Sequence, residues 1–108
     1  MAQFMVQFAY TAGAWAALSK NPTDRAKAFG SLVKKMGGKL GSLHYTMGDF
    51  DGVAIFEAPD DATAMAIVVA AARPGHLRTT KTTRLYSVGE MIKALELSQS
   101  VKYEAPKG

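Results

Sequence analysis

Cysteine is absent from this chain of 108 residues. Its absence excludes a disulfide framework, a thiolate zinc centre and a cysteine nucleophile, and it agrees with a cytoplasmic protein. Long hydrophobic runs are missing as well. The longest nearly apolar segment, residues 62–72, falls well short of the roughly 18 residues expected of a membrane span. The opening Met1-Ala2-Gln3-Phe4-Met5-Val6 lacks the basic segment of a signal peptide, so export is not expected. Histidine is scarce, with only His44 and His76. No His-x-His or Glu-x-x-His spacing accompanies them, so neither a metal site nor a cofactor is expected. None of Ser19, Ser31 and Ser42 sits in a nucleophile elbow. Gly37-Gly38-Lys39-Leu40-Gly41 lacks the glycine spacing and the Lys-Ser/Thr ending of a phosphate loop.

Positive charge is in modest excess, with a net charge of +4 from thirteen basic and nine acidic residues. The basic residues are scattered, and their densest pair is Lys34-Lys35. Arg78, Lys81 and Arg84 come nearest to a stripe, but strand alternation puts Lys81 on the face opposite Arg78 and Arg84. A nucleic-acid partner is therefore not expected, and scattered solubilising charge is the simpler reading. At 48% hydrophobic, the chain has the size and composition of one domain with one core.

Alternation over residues 4–10 predicts a first strand, with Phe4, Val6, Phe8 and Tyr10 on one face. Thr11-Ala12-Gly13 opens a short helix carrying Trp15 and Leu18. Asn21-Pro22-Thr23-Asp24 restarts it, with an N-cap, a proline at the first helical position and an acid in the first turn. In this second piece Ala26, Phe29, Leu32, Val33 and Met36 share a helical stripe that Gly37-Gly38 closes. Residues 40–47 and 53–58 read as strands joined by a turn. A helix follows from Asp60 or Asp61, apolar nearly all round as if covered on more than one side, and Pro74-Gly75 ends it. A fourth strand spans about residues 77–86. Ser87-Val88-Gly89-Glu90 then begins a C-terminal helix through a capping box, with Met91, Ile92 and Leu95 inward. Residues 1–97 thus form the domain, and 98–108 a tail without period that is expected to be mobile or to strap a neighbour.

The order strand, helix, strand, strand, helix, strand is the split pattern of an α+β, ferredoxin-like fold: a four-stranded antiparallel sheet with helices on one face. The second face is left bare, and its mixed apolar character favours another subunit over water. The turn carries the strongest local signal. Gly48, Asp49, Asp51 and Gly52 tolerate turn or left-handed conformations, and Val53 to Phe56 suits a central strand. The string His44-Tyr45-Thr46-Met47-Gly48-Asp49-Phe50-Asp51, with Glu57-Ala58-Pro59-Asp60 after the strand, resembles the signature of the GYD-domain family. Phe50 stands where tyrosine is common in that family, and His44 where another aromatic is common. The resemblance covers about residues 3–95. It implies the ferredoxin-like fold and a homo-oligomer in which sheets pack face to face as a dimeric α/β barrel, and it implies no particular activity.

Five side chains are candidates for ligand binding. Tyr10, Trp15 and Tyr45 could line an apolar pocket between the first helix and the sheet. His44 can serve as a base or orienting group, since imidazole as a side chain titrates near neutrality. Glu57 ends an apolar strand, where a buried carboxylate would be a proton-transfer group. The simpler readings are a hydrogen-bonded structural histidine, an acid reaching water at a strand end, and a tryptophan lid on the core. Asp49 and Asp51 lack the spacing of a calcium loop and read first as turn residues. The leading expectation is a homo-oligomer that binds a small apolar or aromatic molecule between helix and sheet. A cofactor-free monooxygenase or isomerase, and a structural or regulatory assembly module, are the alternatives.

Overall fold

Alternating apolar residues make β1 (Ala2–Tyr10) a central strand, and the computed structural model, which describes residues 1–107, pairs it on both sides. The remaining strands are β2 (Lys39–Tyr45), β3 (Gly52–Ala58) and β4 (Leu77–Leu85), in the antiparallel order β2-β3-β1-β4. The two edges are therefore β2 and β4. Helices α1 (Ala12–Lys20) and α2 (Arg25–Lys35) connect β1 to β2, α3 (Asp61–Ala72) connects β3 to β4, and α4 (Val88–Ser98) follows. This is the ferredoxin-like α+β architecture that the element order implies.

Local chemistry sets the helix boundaries. Thr11 caps α1 by accepting from the Ala14 N–H, Asp24 caps α2 by accepting from Lys27, and Asp60 caps α3 by accepting from Thr63. The restart of the helix comes three residues later than the proline suggests. Asn21 closes α1 through its N–H to the Ala17 carbonyl, so Pro22 lies in the link and Asp24 is the cap rather than a first-turn acid. Gly37 adopts φ of 84°, the left-handed C′ position. Its N–H donates to Lys34 and that of Gly38 to Val33, which completes a Schellman ending.

The core lies on one face of the sheet. Phe4 and Val6 of β1 and Ala54, Phe56 and Ala58 of β3 meet Val33 of α2 and Ala64 and Ile67 of α3. Phe56 stacks on Phe4 at 5.6 Å and takes the edge of Phe29 at 5.7 Å. Burying such large apolar side chains contributes about 1.5–3 kcal/mol each. Cross-strand register fills the opposite face with three rows: Lys39, Glu57, Gln3 and Leu85; Ser42, Ile55, Met5 and Thr83; and His44, Val53, Gln7 and Lys81. Among the described residues, no helix covers these rows.

Two helices depart from expectation. The capping box of α4 forms, with Ser87 and Glu90 exchanging hydrogen bonds of 2.9 and 3.0 Å. Yet Met91, Ile92 and Leu95 are 55%, 51% and 51% exposed, so the stripe expected to face inward meets no core of its own chain. The radius of gyration, 17.7 Å, exceeds the ~13 Å of a compact domain of this size because α4 stands off the body. On α3, Met65 and Val69 are exposed while Ala64 and Ile67 are buried, so one chain covers only one side of that apolar helix. Val101 and Tyr103 in the segment after α4 are exposed too, and Gly108, the end of the expected tail, lies outside the described residues. Among the described residues, no helix is long and apolar enough to cross a membrane.

Candidate functional site

The end of β1 runs past the start of β3, because Phe8 is the last β1 residue to pair with β3, opposite Gly52. Two residues on, the Tyr10 N–H has no strand partner on that side. Asp51 supplies one, its Oδ2 accepting from the Tyr10 N–H at 2.8 Å, while its own N–H donates to the Phe8 carbonyl at 2.8 Å. The turn is closed from within by Thr46. Its N–H donates to the Asp51 carbonyl at 2.8 Å and its hydroxyl to the Phe50 carbonyl at 2.7 Å. Asp51 is thus a structural acid, as its turn position implies, but it acts on β1 rather than on its own backbone. Gly48 and Asp49 are exposed at the tip and Phe50 is half-buried.

Gly52 is glycine for a reason other than backbone conformation. Its φ is negative, and a Cβ there would overlap the ring of Phe8. That ring belongs to an aromatic group around Tyr10. The Tyr10 ring lies 5.5 Å from Phe8, 5.0 Å from Trp15 and 6.3 Å from Tyr45, and its hydroxyl meets that of Tyr45 at 3.1 Å. Burial pushes the Tyr10 phenol above its ordinary pKa, the bond to Tyr45 pushes the same way, and the positive charge of Arg25 pulls back. The phenol is therefore a neutral hydrogen-bonding group, not a base.

Between α2, α3 and the sheet lies a cavity of about 220 Å³. Val6 and Phe8 form its floor, Phe29 and Leu32 one wall and Val68 the other, while Tyr10, Arg25, His76 and Thr80 supply its polar groups. Tyr10, Arg25 and His76 also border a second hollow of about 340 Å³ against Ala14, Ala17 and Leu18 of α1. They therefore stand where two spaces meet.

Of the five sequence candidates, only Tyr10 lines the cavity of about 220 Å³. Tyr45 and Trp15 pack on Tyr10 from outside it, so this cavity lies beneath α2 and α3, and Tyr10 is also the one candidate that borders the hollow against α1. His44 and Glu57 belong to the opposite face, where the register sets His44 beside Val53 and Glu57 beside Lys39. His44 on β2 and His76 just before β4 lie at opposite edges of the sheet. Sequence reasoning missed Arg25, Phe29 and Val68 as lining residues and considered His76 only as a metal ligand. One signal was present for Arg25: a cation in the first turn of a helix opposes the dipole there and so calls for another reason to be where it is.

Comparison with known families settles the relationship. The GYD domain matches residues 4–95. The chain belongs to the GYD-domain family. No curated protein sequence matches this GYD-domain protein significantly. Three solved structures share its fold at low identity. MtbAldR has a TM-score of 0.59 and 14% identity, over 80% of this chain and 53% of its own, so the present chain spans about half of that protein. FFRP-DM1 has a TM-score of 0.56 and 11% identity over 80% of this chain and 100% of its own. TTHA0845 from Thermus thermophilus has a TM-score of 0.53 and 15% identity, over 82% of this chain and 96% of its own. At these identities the likeness concerns the fold alone.

Proposed function

We propose that this GYD-domain protein is a homo-oligomeric small-molecule-binding protein that holds an apolar or aromatic body between α2, α3 and the sheet. The observation that carries the reading is the cavity of about 220 Å³, apolar on its walls and polar at one end. A protein cavity of roughly 150 Å³ lined by aliphatic and aromatic groups stays dry and takes up benzene, so a single substituted ring suits this volume. Association through the sheet is supported by the uncovered face, where Met5, Val53, Ile55 and Leu85 stand among polar neighbours, and by the exposed stripe of α4. Burial of apolar surface at about 25 cal/mol per Å² would cover part of the cost of association.

The catalytic alternative depends on His44 or Glu57 reaching into an apolar pocket, and both lie on the far face of the sheet from the cavity. The binding reading therefore has the better support.

Native mass spectrometry of the freshly purified protein, with light scattering at micromolar concentration, tests both parts. The expected result is a multi-subunit species that Ile55→Arg converts to a folded monomer. Soaking with benzyl alcohol should shift the amide resonances of Phe8, Phe29 and Val68. A stable monomer of the unmodified chain would remove the assembly. Silence of those resonances would remove the binding site.

A further inference from the structure

Arg25 is half-buried at the first position of α2, where its charge opposes the helix dipole. Its chemical surroundings make that placement costly unless something negative joins it. Among the described residues the one ion pair is Arg84 with Glu90, at 3.9 Å, so none of their carboxylates pairs with the Arg25 guanidinium. Asp24, its neighbour in the chain, accepts from the Lys27 N–H at 3.0 Å, and Asp51 accepts from the Tyr10 N–H at 2.8 Å. A guanidinium that edges an apolar cavity with its hydrogen-bonding capacity free is a receptor for a planar anion, which it binds through two parallel N–H bonds.

We infer that the cavity takes a small organic carboxylate, its ring or branched hydrocarbon body between α2, α3 and the sheet and its carboxylate on Arg25. The inference rests on the reading of this cavity as a ligand site and adds the charge of the ligand to it. His76 stands on the same rim, and an imidazole offers one N–H donor even when neutral. Its backbone is fixed there, because the His76 carbonyl accepts from the Thr11 N–H at 3.0 Å. The Tyr10 hydroxyl, bonded to that of Tyr45 at 3.1 Å, is a third polar group on the rim and donates to a ligand when Tyr45 is the donor within that pair. The opposite choice, a cationic ligand drawn to the faces of Phe8, Tyr10 and Phe29, would set a positive group against Arg25 with no carboxylate to offset it.

Three probes of the same ring and similar size decide the matter: benzoate, benzyl alcohol and benzylamine, titrated into the full chain and followed by amide chemical shifts and calorimetry. Benzoate is expected to bind at least about tenfold more tightly than benzyl alcohol, which corresponds to roughly 1.4 kcal/mol, and benzylamine more weakly than either. Arg25→Gln should erase the preference for benzoate while leaving the benzyl alcohol affinity within about threefold, and Arg25→Lys should restore part of it. An unchanged amide spectrum away from the cavity verifies that each variant is folded. Equal binding of benzoate and benzyl alcohol, or a preference that survives Arg25→Gln, would overturn the carboxylate assignment and leave the cavity as a neutral site. Failure of all three probes to shift any cavity resonance would overturn the assignment together with the binding site beneath it.

Discussion

Replacing Gly52 by alanine adds one methyl group, and the position of that methyl decides its effect. The new Cβ would overlap the ring of Phe8, which is buried and held edge-on by Tyr10 and Tyr45. Because the φ of Gly52 is not positive, the cost comes from crowding and not from backbone strain. Overpacking a well-filled core costs about 1–3 kcal/mol, and a value of about 2 lowers the melting temperature of a domain near this size by roughly 8–16 °C. Gly13→Ala in α1 is the matched control, since the nearest atom to its Cβ is the Thr11 hydroxyl at 3.9 Å. That change should stabilise by about 0.5 kcal/mol through helix propensity. The same substitution thus has opposite signs at two sites. Phe8→Leu removes the ring edge, so combining it with Gly52→Ala should cost less than the two single changes together, with a coupling of at least about 1 kcal/mol. Urea unfolding at one fixed protomer concentration reads all four free energies. If Gly52→Ala is neutral, or the double variant is simply additive, the close approach of Phe8 is not what makes this position glycine.

Asp51→Ala leaves the Tyr10 N–H without its acceptor and should destabilise by about 1–3 kcal/mol, whereas Asp51→Asn keeps an acceptor and should cost under about 1 kcal/mol; chemical denaturation separates the two. Burial and the bond to Tyr45 raise the Tyr10 pKa above its usual value of 10.0, so the folded state holds this proton more tightly than the unfolded state does. Its contribution is therefore complete below pH 10 and lost progressively as the pH rises above it, and Tyr10→Phe should flatten the fall in stability above pH 10. Glu90 has the opposite sign: its bonds to the Ser87 backbone and hydroxyl hold its carboxyl below 4.5, so this contribution is lost as the pH falls through that value. Amide exchange in the first turn of α4 should accelerate there, and Ser87→Ala should accelerate it already at neutral pH.

Element order and strand faces were legible because they depend on short-range period and punctuation. Phe4, Val6 and Phe8 share one strand face with Gln3, Met5 and Gln7 on the other, Asp60 and Ser87 sit where caps belong, and Gly37 marks the end of α2. The boundary between α1 and α2 was misread because Pro22 offers a helix start as good as that of Asp24, and only the Asn21 N–H bonded to Ala17 shows that the first helix is still closing there. The exposed stripe of α4 was misassigned because periodicity reports that a face is apolar without saying which chain covers it. The sequence points to a pocket beside α1 because Trp15 and Tyr45 are conspicuous residues. The walls of the 220 Å³ cavity, Phe29 of α2 and Val68 of α3, are ordinary stripe positions whose separation depends on how two helices lie across one sheet. His44 and Glu57 were sound as candidates by residue type, and the register alone sends them to the other face.

The turn between β2 and β3 is closed from within by Thr46 and is tied from outside to a third strand by Asp51. The Asp51 N–H is bonded to Phe8 and its carboxylate to the Tyr10 N–H, 41 residues away in the chain. The hairpin holds its own register through the β2–β3 ladder, but the bonds of Asp51 to β1 form only when β1 docks on it. Closing a loop of about 40 residues loses entropy before those bonds are made, so we predict that the pairing of β1 with β3 limits the folding rate. Substitutions at Asp51 and Gly52 should then slow refolding by nearly the full factor they cost in stability, whereas truncations in α4 should act almost wholly on the unfolding rate.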